Sequence, residues 1–197
     1  MKIIALVGLF LTKMRAKMGH AESMFKLGKM HHFGQGAKAS EKEALIWYKK
    51  AAGAGNVKAL NNIGMILEDQ GWSGHVDEDS DRNPLKWLRK GAELGDPAAM
   101  YNLARCLDNG WWTTAPATDS DDFDLWVEQN NQVVFKWYSK AADLGVVPAM
   151  CSLGYIYLRG WGVPQSDASA AHWFSLAAAS GDQVALKELN ALKRKKP

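Results

Sequence analysis

Cysteine is nearly missing from this chain: two residues, Cys106 and Cys151, in 197. Two cysteines make no disulfide framework, and no CxxC or Cys/His spacing suggests zinc. Counted from the repeat positions described below, the two are offset by about 7 Å along adjacent helices. A bridge needs closer approach, so both are expected to be free and mostly buried thiols. Long hydrophobic runs are absent as well; the apolar stretch near the N-terminus covers nine residues, too few to span a membrane. A formal net charge of +3 is too small to indicate nucleic-acid binding, and none is expected.

Catalytic constellations are missing too. The five histidines form no HExxH, and His31 and His32 would point about 100° apart on a helix, poor geometry for one metal. Gly34-Gln35-Gly36 and Gly160-Trp161-Gly162 lack the lysine and the preceding strand of a phosphate loop. Asp77-x-Asp79-x-Asp81 starts like a calcium loop, but Arg82 replaces the required glycine and Leu88 the bidentate glutamate. The sequence therefore predicts no catalytic, cofactor-binding or metal site, and a protein that is not an enzyme.

What the chain does have is tryptophan, nine in all, and a register. Trp47, Trp87, Trp137 and Trp173 each stand eight residues before a glycine: Gly55, Gly95, Gly145 and Gly181. Nine residues after each of these comes an anchor: Gly64, Ala104, Gly154 and a degenerate Asn190, with Gly28 opening the series. All variation in length falls between an anchor and the next tryptophan. Fixed self-similarity at this period marks helical repeats, none of which buries its apolar face alone.

Residues 21–55 show the unit. AESMFKLGKMHHF has helical apolar spacing, and GQGAKAS interrupts it. Ser40 with Glu43 forms a capping box for a second helix whose stripe is Ala44, Leu45, Trp47, Tyr48, Ala51 and Ala52. The anchor glycine and the alanine pair predict close helix approach, with the tryptophan filling the gap between successive hairpins. Ser40, Ser80, Asn130 and Ser166, each seven residues before a tryptophan, are expected N-caps; in the second repeat, Asn83 followed by Pro84 fits equally well. The terminal glycines fit the C′ position, where φ is positive.

The pattern LGxxYxxGxGV, a capping residue, then AxxWYxKAAxxG resembles the Sel-one-like repeat (SLR), a branch of the tetratricopeptide-type (TPR-like) αα-hairpin solenoids. The clearest copy is 153–181, LGYIYLRGWGVPQSDASAAHWFSLAAASG; 27–55 is close, and the middle two are looser, with Ala104 for glycine and Gly91 for the first alanine. The resemblance implies an all-α, right-handed αα-hairpin solenoid of about four repeats (20–56, 57–96, 97–146, 147–182). A half-repeat cap is expected at each end, over 1–19 and 183–197. It also implies a non-catalytic adaptor or scaffold that binds protein; the alternative is a dedicated inhibitor or immunity-type protein that blocks one enzyme or toxin.

Both ends admit two readings. Residues 1–21 combine an apolar run with a small-x-small step at Gly19-His20-Ala21, as a cleaved signal would, giving a secreted or periplasmic protein. Register instead aligns Gly19 with Gly55 and makes residues 3–18 the second helix of a degenerate repeat, which favours a cytoplasmic protein. The closing Lys193, Arg194, Lys195 and Lys196 read as a solvated helix end rather than a nucleic-acid or lipid contact.

Five tryptophans are surplus to the repeat: Trp72, Trp111, Trp112, Trp126 and Trp161, all placed by the register in loops between first and second helices. The same loops hold Asp77, Glu78, Asp79, Asp81, Asp119, Asp121, Asp122, Asp124 and Glu128. Aromatic anchors ringed by charge are typical of binding hot spots, so this edge is expected to dock a basic or mixed-charge protein. Self-burial of the loop tryptophans is the competing reading. A second candidate is the groove lined by the first helices, with Lys29, Asn62, Asn102, Arg105, Tyr155 and Arg159 among its polar positions, suited to clamping an extended peptide. The protein is expected to be a monomer.

Overall fold

Ten helices form among the described residues of the computed structural model, which are 2–71, 80–110 and 122–195. They are α1 (Lys2–Lys17), α2 (Ala21–Phe33), α3 (Glu41–Gly53), α4 (Val57–Asp69), α5 (Pro84–Glu93), α6 (Pro97–Asp108), α7 (Asp122–Asp143), α8 (Val147–Arg159), α9 (Asp167–Ala179) and α10 (Gln183–Lys195). No strand occurs among the described residues.

The chain divides into two units, Met1–Ala99 and Met100–Pro197, with the boundary inside α6. In the first, α1 packs on α2, α2 on α3, α3 on α4 and α4 on α5; in the second, α7 packs on α8, α8 on α9 and α9 on α10. Each unit is thus a stack of sequence neighbours, the packing of a repeat solenoid. Asn56, the cap of α4, donates to Glu22 in the first turn of α2 at 2.9 Å, so these two first helices start side by side.

Local chemistry explains where the helices begin and end. Ser40 and Ser166 accept from the amides of Glu43 and Ser169 at 3.3 and 3.1 Å. Their own amides close the preceding turn onto the carbonyls of His31 and Tyr157 at 2.8 and 2.9 Å, the same turn in the first and last repeats. Gly55 and Gly181 have φ of 90° and 94°, conformations that favour glycine.

One expected cap is decided between the two readings offered for it, and one is corrected. Asn83, not Ser80, caps α5, accepting from Leu85 at 2.9 Å with Pro84 in the first turn; Ser80 instead accepts from Arg82 in a tight turn. Asn130 caps nothing: α7 already begins at Asp122, and the Asn130 amide donates to the Leu107 carbonyl at 3.3 Å.

The core sharpens the reading of the anchors. The buried position of each second helix is the residue after the tryptophan: Tyr48, Leu88, Tyr138 and Phe174. A Cβ on Gly28 would lie 2.5 Å from the Tyr48 ring, one on Gly64 2.6 Å from Leu88, and one on Gly154 2.5 Å from the Phe174 ring. The glycine is there to admit a side chain rather than a second backbone. A helix turns about 100° per residue, so with Ala44, Tyr48 and Ala51 facing inward, Trp47 falls to the edge. It is half-buried with the Lys50 ammonium 4.8 Å over its ring, as Lys140 is over Trp137 at 4.7 Å.

Candidate functional site: a mixed-charge cleft in the second unit

Helix α8 carries the side chains that meet in one place. Its inward residues Leu153, Gly154 and Ile156 are buried in the core, which leaves Ser152, Tyr155 and Arg159 on the opposite flank. Gly160 ends the helix, and the turn that follows packs closely: a Cβ on Gly162 would lie 2.8 Å from the Asn131 backbone. That contact holds Trp161 beside the end of α8, where the Arg159 guanidinium stacks 4.4 Å over its ring.

Asp108, Ser152, Tyr155, Ile156, Arg159 and Trp161 together line an open cleft of about 220 Å³. Asp108 accepts from the buried Tyr138 hydroxyl at 3.3 Å. Asp108 is exposed overall, yet partial desolvation of its carboxyl raises it from the ordinary value, while the Tyr138 hydrogen bond and the Arg159 charge draw it part of the way back. The Tyr155 hydroxyl donates to Glu188 at 3.3 Å, and its ring stands edge-on to Phe174, so the side chain is fixed from both ends. The cleft offers a guanidinium for carboxylates or carbonyls, a carboxylate for a basic group, and two aromatic surfaces.

The structure thus brings together Tyr155, Arg159 and Trp161, which the sequence reading divided between groove and edge. Asp108, Tyr138 and Glu188 were missed; Tyr138 belongs to the repeat pattern, Asp108 and Glu188 to no motif, and only packing makes the three part of one neighbourhood. Asn102 and Arg105 lie half-buried on α6, and both are engaged in interactions within the chain. In the first unit Lys29 is exposed on α2, and Asn62 is half-buried near the Tyr48 hydroxyl.

The loop edge fares differently. Trp126 is not in a loop but on α7, as are Asp122, Asp124 and Glu128, because 122–143 is one continuous helix. Its spacing of Val127, Val134 and Tyr138 sustains helical periodicity straight through the expected loop. Trp72, Trp111, Trp112 and Asp121, with Asp77, Glu78, Asp79 and Asp119, lie outside the described residues. Cys106 is buried and Cys151 half-buried, neither in a disulfide; burial foremost, with Asp182 beside it, pushes the Cys151 thiol up to about 11. No helix among the described residues is long and apolar enough to cross a membrane.

Comparison with known proteins gives a consistent picture. The model of the Sel1 repeat matches residues 21–56, 57–96, 97–117, 124–146 and 147–182. Among solved structures, the chain is 30% identical to a protective antigen of uropathogenic Escherichia coli that displays an SLR fold, with a TM-score of 0.73, over 90% of this chain and 34% of that one. It is 29% identical to a Sel1 repeat protein from Oxalobacter formigenes, TM-score 0.67, over 87% of this chain and 63% of that one. An immunity protein from Pseudomonas aeruginosa shares the fold at 19% identity and a TM-score of 0.55, over 90% of this chain and 59% of that one. The chain therefore spans about a third and under two thirds of the first two relatives. No curated protein matches the sequence.

Proposed function

The chain belongs to the Sel1-repeat family, and from that premise we propose that it is a non-catalytic protein-interaction module that holds a peptide or loop of a mixed-charge partner. The observation that carries this reading is the cleft of the second unit, where Arg159 stacked on Trp161 faces Asp108 and Tyr155. Arginine and tryptophan anchors in a shallow pocket are the composition of binding hot spots. Fold alone names no partner, so the partner is defined by the cleft's chemistry: a basic group for Asp108, an acidic or carbonyl group for Arg159, and apolar surface against Trp161, which is 40% exposed. The segments 72–79 and 111–121, rich in tryptophan and acid, extend this preference for basic groups on sequence grounds.

Affinity purification with the tagged chain, followed by titration of the captured protein, tests the reading. Arg159→Ala combined with Trp161→Ala should weaken binding at least about tenfold, or about 1.4 kcal/mol. Unchanged affinity would reject the cleft as the docking site. The same titration separates an adaptor, which binds several partners at micromolar strength, from a blocker of a single target, which binds one far more tightly.

A further inference from the structure

We propose that the first unit carries a second docking surface, a cationic and apolar cleft between α1, α2 and α3 that takes an acidic segment of a protein partner. It shares no residue with the cleft of the second unit, and it selects acidic groups alone where that cleft takes mixed charge.

Phe10 and Met14 of α1, Leu27 and His31 of α2 and Trp47 of α3 line an open cleft of about 250 Å³, with Lys13 and Lys17 on its rim. Phe10 is 65% exposed and Met14 46%, large apolar side chains left in water at the mouth. The first 20 residues contain no acid. Among the described residues, neither lysine is in an ion pair, and the buried Nδ1 of His31 has no hydrogen-bond partner.

The next repeat shows what such a place binds. Gly19 stands to Gly55 as Lys13 stands to Lys49, 36 residues on, and Gly55 to Gly95 as Trp47 to Trp87, 40 residues on. Over Lys49 and Trp87 the chain supplies its own acid. The Asp81 carboxylate lies 3.6 Å from the Lys49 ammonium and 3.1 Å from that of Lys86. The Asp81 backbone carbonyl accepts from the Trp87 indole at 3.1 Å, and the Lys49 ammonium sits 5.4 Å over that indole ring. In the first repeat the loop 34–40 contains Lys38 and no acid; the residue in register with Asp81 is Glu41, in the first turn of α3, and it accepts from the Gln70 amide at 3.1 Å. Lys13 and Trp47 therefore repeat two of the three groups that hold Asp81, Ile46 standing where Lys86 does, while the acid at that register, Glu41, is engaged by Gln70 rather than by Lys13. Charge complementarity and this internal precedent both select an acidic segment, with an apolar side chain to fill the space between Phe10, Met14 and Trp47.

The test is a display library of random dodecapeptides, selected on the full chain and on the Lys13→Glu, Lys17→Glu double variant. Both lysines are exposed, so the variant's thermal melt should not move; Lys13→Gln with Lys17→Gln serves if it does. Peptides enriched on the native chain should carry net negative charge and a large apolar residue. A labelled synthetic copy should bind the double variant at least about tenfold more weakly, yet bind the Arg159→Ala, Trp161→Ala variant unchanged. That last arm keeps this result apart from the fate of the second-unit cleft. Enrichment of peptides without acidic bias, equal binding to native and charge-reversed chains, or no enrichment overturns the proposal. So does a concentration-dependent dimer that Lys13→Glu, Lys17→Glu abolishes in sedimentation, or co-sedimentation with phosphatidylglycerol vesicles that the same change abolishes, since either assigns the cleft a different occupant.

Discussion

Tyr48 in the first unit and Tyr138 in the second hold the same place in their repeats, one residue after a tryptophan, and both are buried. Their hydroxyls are treated differently. That of Tyr138 donates to Asp108, and so holds from beneath a carboxylate of the cleft that Arg159 and Trp161 also line. That of Tyr48 is buried without a hydrogen bond among the described residues, with Asn62 near enough only to temper the effect of burial, which pushes it up to about 12. In the last repeat the position is Phe174, with no hydroxyl at all. A large apolar side chain is what the repeat requires, Leu88 filling the place in the second repeat; what the far end of a ring does there depends on the neighbouring helix.

The anchors put the first half of that statement at risk. Gly28→Ala and Gly154→Ala each force a methyl against a ring at 2.5 Å, and each should cost about 1–3 kcal/mol by denaturant unfolding, after any gain in helix propensity. The third repeat already carries Ala104, fully buried, so Ala104→Gly should lose only about 0.5–1 kcal/mol from backbone entropy. Equal costs at all three positions would mean that the rings do not set the anchor.

The hydroxyls test the second half with a smaller effect. Tyr138→Phe should cost about 0.5–1.5 kcal/mol through its lost hydrogen bond, while Tyr48→Phe should be neutral or slightly stabilising. A penalty for Tyr48→Phe as large as that for Tyr138→Phe would show that the two tyrosines are not opposites.

The smallest expected effect is on pH dependence. Asp108 holds its proton more tightly in the folded chain than in the unfolded one, so its contribution is present below the ordinary carboxylate value and is lost as pH rises through the raised value. Asp108→Asn keeps an acceptor for Tyr138 and removes the titration. The melting temperature of the variant should therefore fall less than that of the native chain between about pH 4 and about pH 7. Parallel curves would place Asp108 in ordinary solvent and dissolve the contrast with the first unit.

The sequence by itself determined the helices, their order and most of their ends. These are set by interactions within a few residues: the 3.6-residue apolar spacing, a serine three residues before an amide it can accept from, a glycine where φ must be positive. Even here a local rule misplaced one element, since the spacing within 122–143 continues through Asn130 and outweighs a good capping residue. Which residue fills a core, and which side chains meet, was decided only in three dimensions. Tryptophan marks the register because it recurs, yet the helix rotation puts its neighbour inside. Asp108 and Arg159, or Asp81 and Lys49, come together only because one helix or loop lies across another. Such meetings depend on long-range packing, and sequence spacing carries no record of them.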